Sequence, residues 1–470
     1  MTVSRLLDIP GIGVDKVGDA ADAAGDPRFL RLENLDTDLP PPAIAREITH
    51  AAVERDDANS YLPFHGHLAL RSAAARHVGA VSGRAYDPDT ECVSVAGGLN
   101  GILNVLLATV EPGQEVVICD PVYAGLVNRI RLAGGVPRHV SCTATAAGWV
   151  TDPGELAAAI GPQTAAVLLM SPVMPSGAVL SEAHYEAIAG PVNEYGAWVI
   201  YDAAMERIRF DGVARSPSPA AHPLLASRTI TVGSASKELR MIGWRVGWVV
   251  GPAAIMGDVR LVGLTNVVCP VGIAQQAVAA ALLAPDAAAD MAAAARVWQE
   301  RCAFILDQLA GYPCIRPDGG WSLLIDTPAM GLAPEEASQL LFSRSQVAAT
   351  PMTGWGPSGS RYLRLVFANE PFSRLGDLRE RFDLALGLLP LVQVFATAGK
   401  FLVSGKKWGA IVHRNSPKPR TSPFRDRQAT HSGARPGSRV RCLSRGPVRP
   451  ARRGHRGYPW PSRQAAARPG

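Results

Sequence analysis

GSASKELRMIGWRVGW, residues 233–248, holds one of only two lysines in the first 390 residues; the other is Lys16. The apolar run before it, RTITVG (228–233), reads as a strand. The strand ends at Gly233 and runs into SASK and then GWRVG, so Ser234, Ser236, Lys237 and Arg245 gather at one strand end. The glycines permit a tight backbone path there. A lysine amine that is partly desolvated, or held near other cations, can form a Schiff base, whereas a guanidinium cannot. Ser234 offers a hydroxyl donor and Arg245 a fixed fork of N–H donors, which together suit a phosphate.

Outward from this stretch, short apolar runs alternate with amphipathic patterns. EVVICD (115–120), AAVLLM (165–170), AWVIYD (197–202) and VGWVVG (246–251) read as further strands, with helices around Leu99–Val110, Ala124–Ala133 and Ser181–Tyr195. That alternation predicts an α/β fold with a mostly parallel sheet flanked by helices. Loops at the strand ends of such a sheet collect ligand-binding residues, and Asp120, Ser171, Asp202 and Ser234 stand there. From about residue 286 the pattern becomes a long helix (286–310), then GGWSLLID, another helix (334–343) and RYLRLVF, as expected of a smaller α+β domain. The expected boundaries are an N-terminal arm at 1–46, a large domain at 47–285, a small domain at 286–390 and a tail at 391–470.

The net charge of +6 conceals two unlike parts. Residues 391–470 carry 18 Lys and Arg against the single acidic Asp426, a net of +17, which leaves 29 basic and 40 acidic residues before them, a net of −11. The tail is rich in Pro, Gly, Ser and Arg without apolar periodicity, so it is expected not to fold by itself. Nucleic-acid binding is not expected of it, because no binding motif accompanies the charge. No apolar run reaches the roughly 18 residues of a membrane span, and the N-terminus lacks the pattern of a secretion signal. Seven scattered cysteines, none spaced as CxxC, fit free thiols in a reducing cytoplasm better than disulfides or a metal site.

The pattern S-x-S-K, five residues, G-x-R-x-G resembles the lysine signature of the class I/II aminotransferases, enzymes of the aspartate aminotransferase superfamily with the fold type I architecture. The resemblance implies pyridoxal 5'-phosphate as cofactor, bound to Lys237 as a Schiff base, with Ser234, Ser236 and Arg245 toward its phosphate. Other segments resemble the family's in the same order. SYLPFHGHLALR (60–71) places Tyr61 as the tyrosine that reaches the phosphate in a neighbouring subunit's site, which implies a homodimer. VAGGLNGIL (95–103) places Ala96, Gly97 and Gly98 at the glycine turn whose N–H groups hold the phosphate. DPVYAG (120–125) places Tyr123 as the ring stacked on the pyridine, and VIYDAAMERIRFDG (199–212) places Asp202 against the pyridine nitrogen. GSRYLRLVFA (359–368) carries the arginine for the substrate's α-carboxylate, assigned to Arg364 ahead of Arg361.

Two positions depart from the family pattern. Met174 in SPVMPSGAVLS stands where the family has asparagine, and Met205 in DAAMER stands where it has tyrosine. Both family side chains donate hydrogen bonds to the cofactor's 3-hydroxyl oxygen, and a thioether has no donor. The resemblance implies an aminotransferase moving an amino group between an amino acid and a 2-oxo acid. The departures leave open another reaction of the same cofactor, such as elimination, replacement, cyclisation or oxidation. A ligand-sensing regulator built on the same fold is a third reading. It is disfavoured because residues 1–46 are too short for a preceding DNA-binding module.

Overall fold

A computed structural model describes residues 4–387 apart from 8, 10 and 62; the basic segment 391–470 lies outside the described residues. Eight strands form the large sheet: β1 Cys92–Val95, β2 Glu115–Asp120, β3 Val136–Thr145, β4 Gly148–Thr151, β5 Thr164–Met170, β6 Trp198–Asp202, β7 Thr229–Ser234 and β8 Gly247–Val250. Their spatial order is β1-β8-β7-β6-β5-β2-β3-β4. The five central strands, β7, β6, β5, β2 and β3, run parallel, while β8 and β4 run antiparallel to their inner neighbours.

Both faces of the sheet are buried, and alternation decides which side chain goes where. Val116, Ile118, Leu168, Ile200 and Val232 pack on one face against the helices Gly98–Thr109, Ala124–Leu132 and Ala253–Asn266. Val117, Val167, Leu169, Val199 and Tyr201 pack on the other, against Glu182–Tyr195. The expected α/β class is therefore the observed one. The carboxyl ends of β2, β5, β6 and β7 leave Asp120, Met170, Asp202 and Ser234 along one edge.

A second, antiparallel sheet follows, made of β9 Cys314–Ile315, β10 Ser322–Asp326, β11 Thr350–Pro351 and β12 Tyr362–Val366, in the order β9-β10-β12-β11. It packs around Trp298, Trp321 and Trp355, each fully buried. The N-terminal segment is tied to this region. Leu30–Arg31 pairs in parallel with Val347–Ala348, and the Val366 N–H donates to the Leu32 carbonyl at 2.7 Å. This stitching fixes the course of residues 33–36. The alanine-rich stretch of 271–295 forms two helices, Gly272–Leu283 and Ala287–Gln308, bent by 91°. Among the described residues no single helix is long and apolar enough to cross a membrane.

Candidate active site

A cavity of about 140 Å³ opens at the carboxyl ends of β5, β6 and β7, walled by Lys237, Asp202, Tyr123, Ser234, Ser236, Arg245, Gly98 and a set of apolar side chains. Lys237 follows β7 by three residues. Its amine is enclosed by protein, donates to the Leu35 carbonyl at 2.9 Å and lies 4.7 Å from the centre of the Trp321 ring. Burial pulls the amine down to about 7; Arg364 and Arg245 act in the same direction, and Asp36 and Asp202 oppose them. A lysine so placed is substantially neutral near pH 7, the form that attacks a carbonyl.

Asp202 ends β6, and burial lifts its carboxyl to about 6 against the opposing pull of the Ala204 N–H, Lys237 and Arg129. Its Oδ1 accepts that N–H at 3.1 Å. A carboxylate enclosed in this way is costly without a cationic partner.

At the other end lies a nest of donors. The helix Gly98–Thr109 begins without a side-chain cap, so its first N–H groups face outward unpaired by any cap. Gly97 has φ 88°, and a Cβ there would lie 2.3 Å from Arg245 Nη2. Glycine meets both demands without strain or displacement of the guanidinium. Gly247 is needed for a different reason: a Cβ on it would come within 2.8 Å of the Gly97 and Gly98 backbone, so its absence lets β8 press against the turn. Arg245 donates to Ser236 Oγ at 3.3 Å, to the Ile242 carbonyl at 3.0 Å and to the Ala96 carbonyl at 3.4 Å. Ala96 itself stands outside the cavity wall, and its N–H is given to Asn100 Oδ1 at 3.1 Å.

Arg364, on β12, is fully buried. Its guanidinium lies 4.8 Å from the centre of the Trp355 ring, and Tyr123 meets the same ring edge-on at 5.4 Å. One nitrogen, Nη2, donates to the Glu33 carbonyl and to Thr350 Oγ1, while Nε and Nη1 are buried without a hydrogen-bond partner among the described residues. Burial lowers its pKa to about 10, so it stays cationic at neutral pH. Arg361, the alternative, is exposed and held by Asp326 at 2.5 Å. Tyr61 is 84% exposed and stands apart from the cavity of its own chain.

The model of the family "Aminotransferase class I and II" matches residues 29–382. The chain belongs to that family. It is 32% identical over 352 residues to the arginine–pyruvate transaminase of Pseudomonas aeruginosa, covering 73% of this chain and 86% of that one. It is 31% identical over 390 residues to the aspartate/prephenate aminotransferase of Thermus thermophilus, covering 82% and 94%. Among solved structures, N-succinyldiaminopimelate aminotransferase from Mycobacterium tuberculosis superposes with a TM-score of 0.75 at 28% identity, covering 82% of this chain and 100% of that one. The protein is thus a class I/II aminotransferase, and members of this family use pyridoxal phosphate.

In this aminotransferase the sequence reasoning passed over Leu35, Met170, Trp321 and Trp355. A main-chain carbonyl such as that of Leu35 carries no residue-type signal. Met170 had one, since it ends a strand level with Asp202. The two tryptophans stand in the segments GGWSLLID and TGWGPSG, where large aromatics beside glycines marked tight packing.

Proposed function

We propose that this class I/II aminotransferase binds pyridoxal phosphate through Lys237 and moves an amino group between an amino acid and a 2-oxo acid. The observation that carries the reading is the lysine amine, enclosed and lowered to about 7, between a buried carboxylate and a donor nest. The residues fit the cofactor at three points. The uncapped helix start at Gly97–Gly98, with Ser234, Ser236 and Arg245, suits its phosphate. Asp202 suits a protonated ring nitrogen. Lys237 suits the aldehyde carbon.

The bound cofactor supplies an electron sink for the negative charge that develops on the substrate's Cα. Everything else falls to the chain. Asp202 would hold the proton on the ring nitrogen. Tyr123, in edge contact with Trp355, would supply the aromatic face for the ring. The two open donors of Arg364 take the substrate carboxylate and fix which Cα bond faces the cofactor. With the cofactor held there, the Lys237 amine would serve as the general acid and base that takes and returns the proton at the substrate's Cα. The apolar wall excludes water.

The exposed Tyr61 supports a homodimer in which it completes the neighbour's site, with amino acids and 2-oxo acids as the small-molecule partners. Free cysteines at 92, 119, 142, 269, 302 and 314 support a cytoplasmic setting. The test is a single turnover of loaded enzyme against a donor panel that includes arginine and aspartate. Retention of the amino group on the cofactor is expected; its release as ammonia overturns the reading.

A further inference from the structure

The cavity floor is built from three adjacent parallel strands, and their registers set Met170 of β5, Asp202 of β6 and Val232 of β7 level with one another. The phosphate-type donors all lie to the β7 side. Ser234 ends that strand, Ser236 and Arg245 follow it, and a Cβ on Gly98 would lie 3.1 Å from the Ser234 Cβ. The same wall carries Met170, which ends β5, Met174, four residues past it, and Met205, three residues past the end of β6.

Pyridoxal phosphate has a fixed order of ring substituents. The nitrogen is opposite the carbon that bears the aldehyde, and the phosphate arm and phenolic oxygen flank that carbon on opposite edges. With the nitrogen at Asp202, the aldehyde at Lys237 and the phosphate toward β7, the oxygen edge turns toward β5. A thioether there offers no hydrogen to donate. The Tyr123 main-chain N–H and the Ser171 hydroxyl are engaged elsewhere. The Tyr123 N–H donates to the Met174 carbonyl at 3.0 Å. Ser171 Oγ donates to Ser216 and accepts the Leu180 N–H at 3.0 Å. The Tyr123 ring, which lines the same wall, packs over Gly125, where a Cβ would lie 2.3 Å from it.

We propose that Met170, Met174 and Met205 form a donor-free edge, so that the phenolic oxygen of the bound cofactor shares only the proton on Lys237 Nζ and holds it to unusually high pH. This rests on the reading that pyridoxal phosphate binds through Lys237. The charged groups facing that nitrogen are Asp36 and Asp202, and Arg245 and Arg364. All four stay in place when the methionines are changed, so a change at the edge is read against a constant field. A hydrogen bond to an anionic oxygen is strong enough to move such an equilibrium by about one to two units.

The experiment is a pH titration of the visible absorption of loaded wild type, Met205→Tyr, Met174→Asn and Met170→Leu. Wild type and Met170→Leu are expected to keep the protonated band through about pH 8, and each variant that adds a donor is expected to lower the midpoint by about one unit or more. Either donor variant carries the comparison if the other does not fold. A wild-type midpoint below about pH 8, or one unmoved by the added donors, overturns the inference and leaves the cofactor reading standing. Failure of any band to form, with no borohydride-stable label on Lys237, overturns both.

Discussion

The amine of Lys237 is held 2.9 Å from the carbonyl of Leu35, a residue 202 positions earlier in the chain. The strand that ends before the lysine belongs to the large sheet, and Leu35 belongs to the segment stitched to the second one. The lysine nitrogen therefore sits where the two sheets' connections meet. Desolvation by both sides lowers it to about 7.

Replacing Gly97 with Ala should weaken the grip on phosphate. At φ 88° the alanine is strained by about 1 kcal/mol or more. Its methyl also lands 2.3 Å from Arg245 Nη2 and displaces the guanidinium. Equilibrium titration should show the affinity for pyridoxal phosphate falling roughly tenfold or more. Affinity for pyridoxal, which lacks the phosphate, should not change. An equal loss for both would place the defect in folding.

Asp202→Asn should separate stability from activity. The folded carboxyl, at about 6, lies above its ordinary value of 3.8, so its contribution to stability is present below about pH 4 and is lost as pH rises through 6. Above that, the cofactor-free protein carries a buried charge, and the asparagine variant should melt several degrees higher at about pH 7.5, the gap closing near pH 4. In the loaded enzyme the same change removes the ring nitrogen's partner. A buried pair so broken costs about 3–5 kcal/mol, so the half-reaction should slow by roughly 10²–10⁴. Coincident melting curves at neutral pH would contradict this.

Arg364→Lys keeps the charge and loses the planar fork. KM for amino donors should rise by about 10² while the affinity for pyridoxal phosphate holds, because Nε and Nη1 have no hydrogen-bond partner among the described residues and Arg364 is not among the donors gathered at Ser234, Ser236 and Arg245. A matching fall in cofactor affinity would assign Arg364 to the scaffold.

Tyr61 is tested by mixing subunits. In a heterodimer of Lys237→Ala and Tyr61→Phe chains, a tyrosine acting across the interface leaves one site with both native residues. Activity should reappear on mixing the two weak parents. No recovery in a verified heterodimer would confine Tyr61 to its own subunit.

Legibility in the sequence followed chemistry. Lys237, Asp202, Ser234 and Arg245 were readable because a charged or hydroxyl side chain just past an apolar run is conspicuous, and all four line one cavity. The central strands were readable for the same reason. The hairpin of β3 and β4 was not, because β3 is mostly exposed and its residues VPRHVSCTAT form no apolar run. The buried helices Leu68–Ser82 and Gly272–Leu283 were also missed; alanines enclosed on several sides blur the 3.6-residue period. Leu35 was invisible, since backbone geometry placed it and its side chain did not.

The most direct test of the account is borohydride reduction of the protein incubated with pyridoxal phosphate across a pH series, followed by peptide mapping. The label should sit on Lys237 alone, and its rate of attachment should rise toward pH 7 and level off above it, as a neutral amine with its pKa at about 7 requires. Label on Lys16, or a rate still climbing tenfold per unit at about pH 9 as for an ordinary lysine, would contradict it.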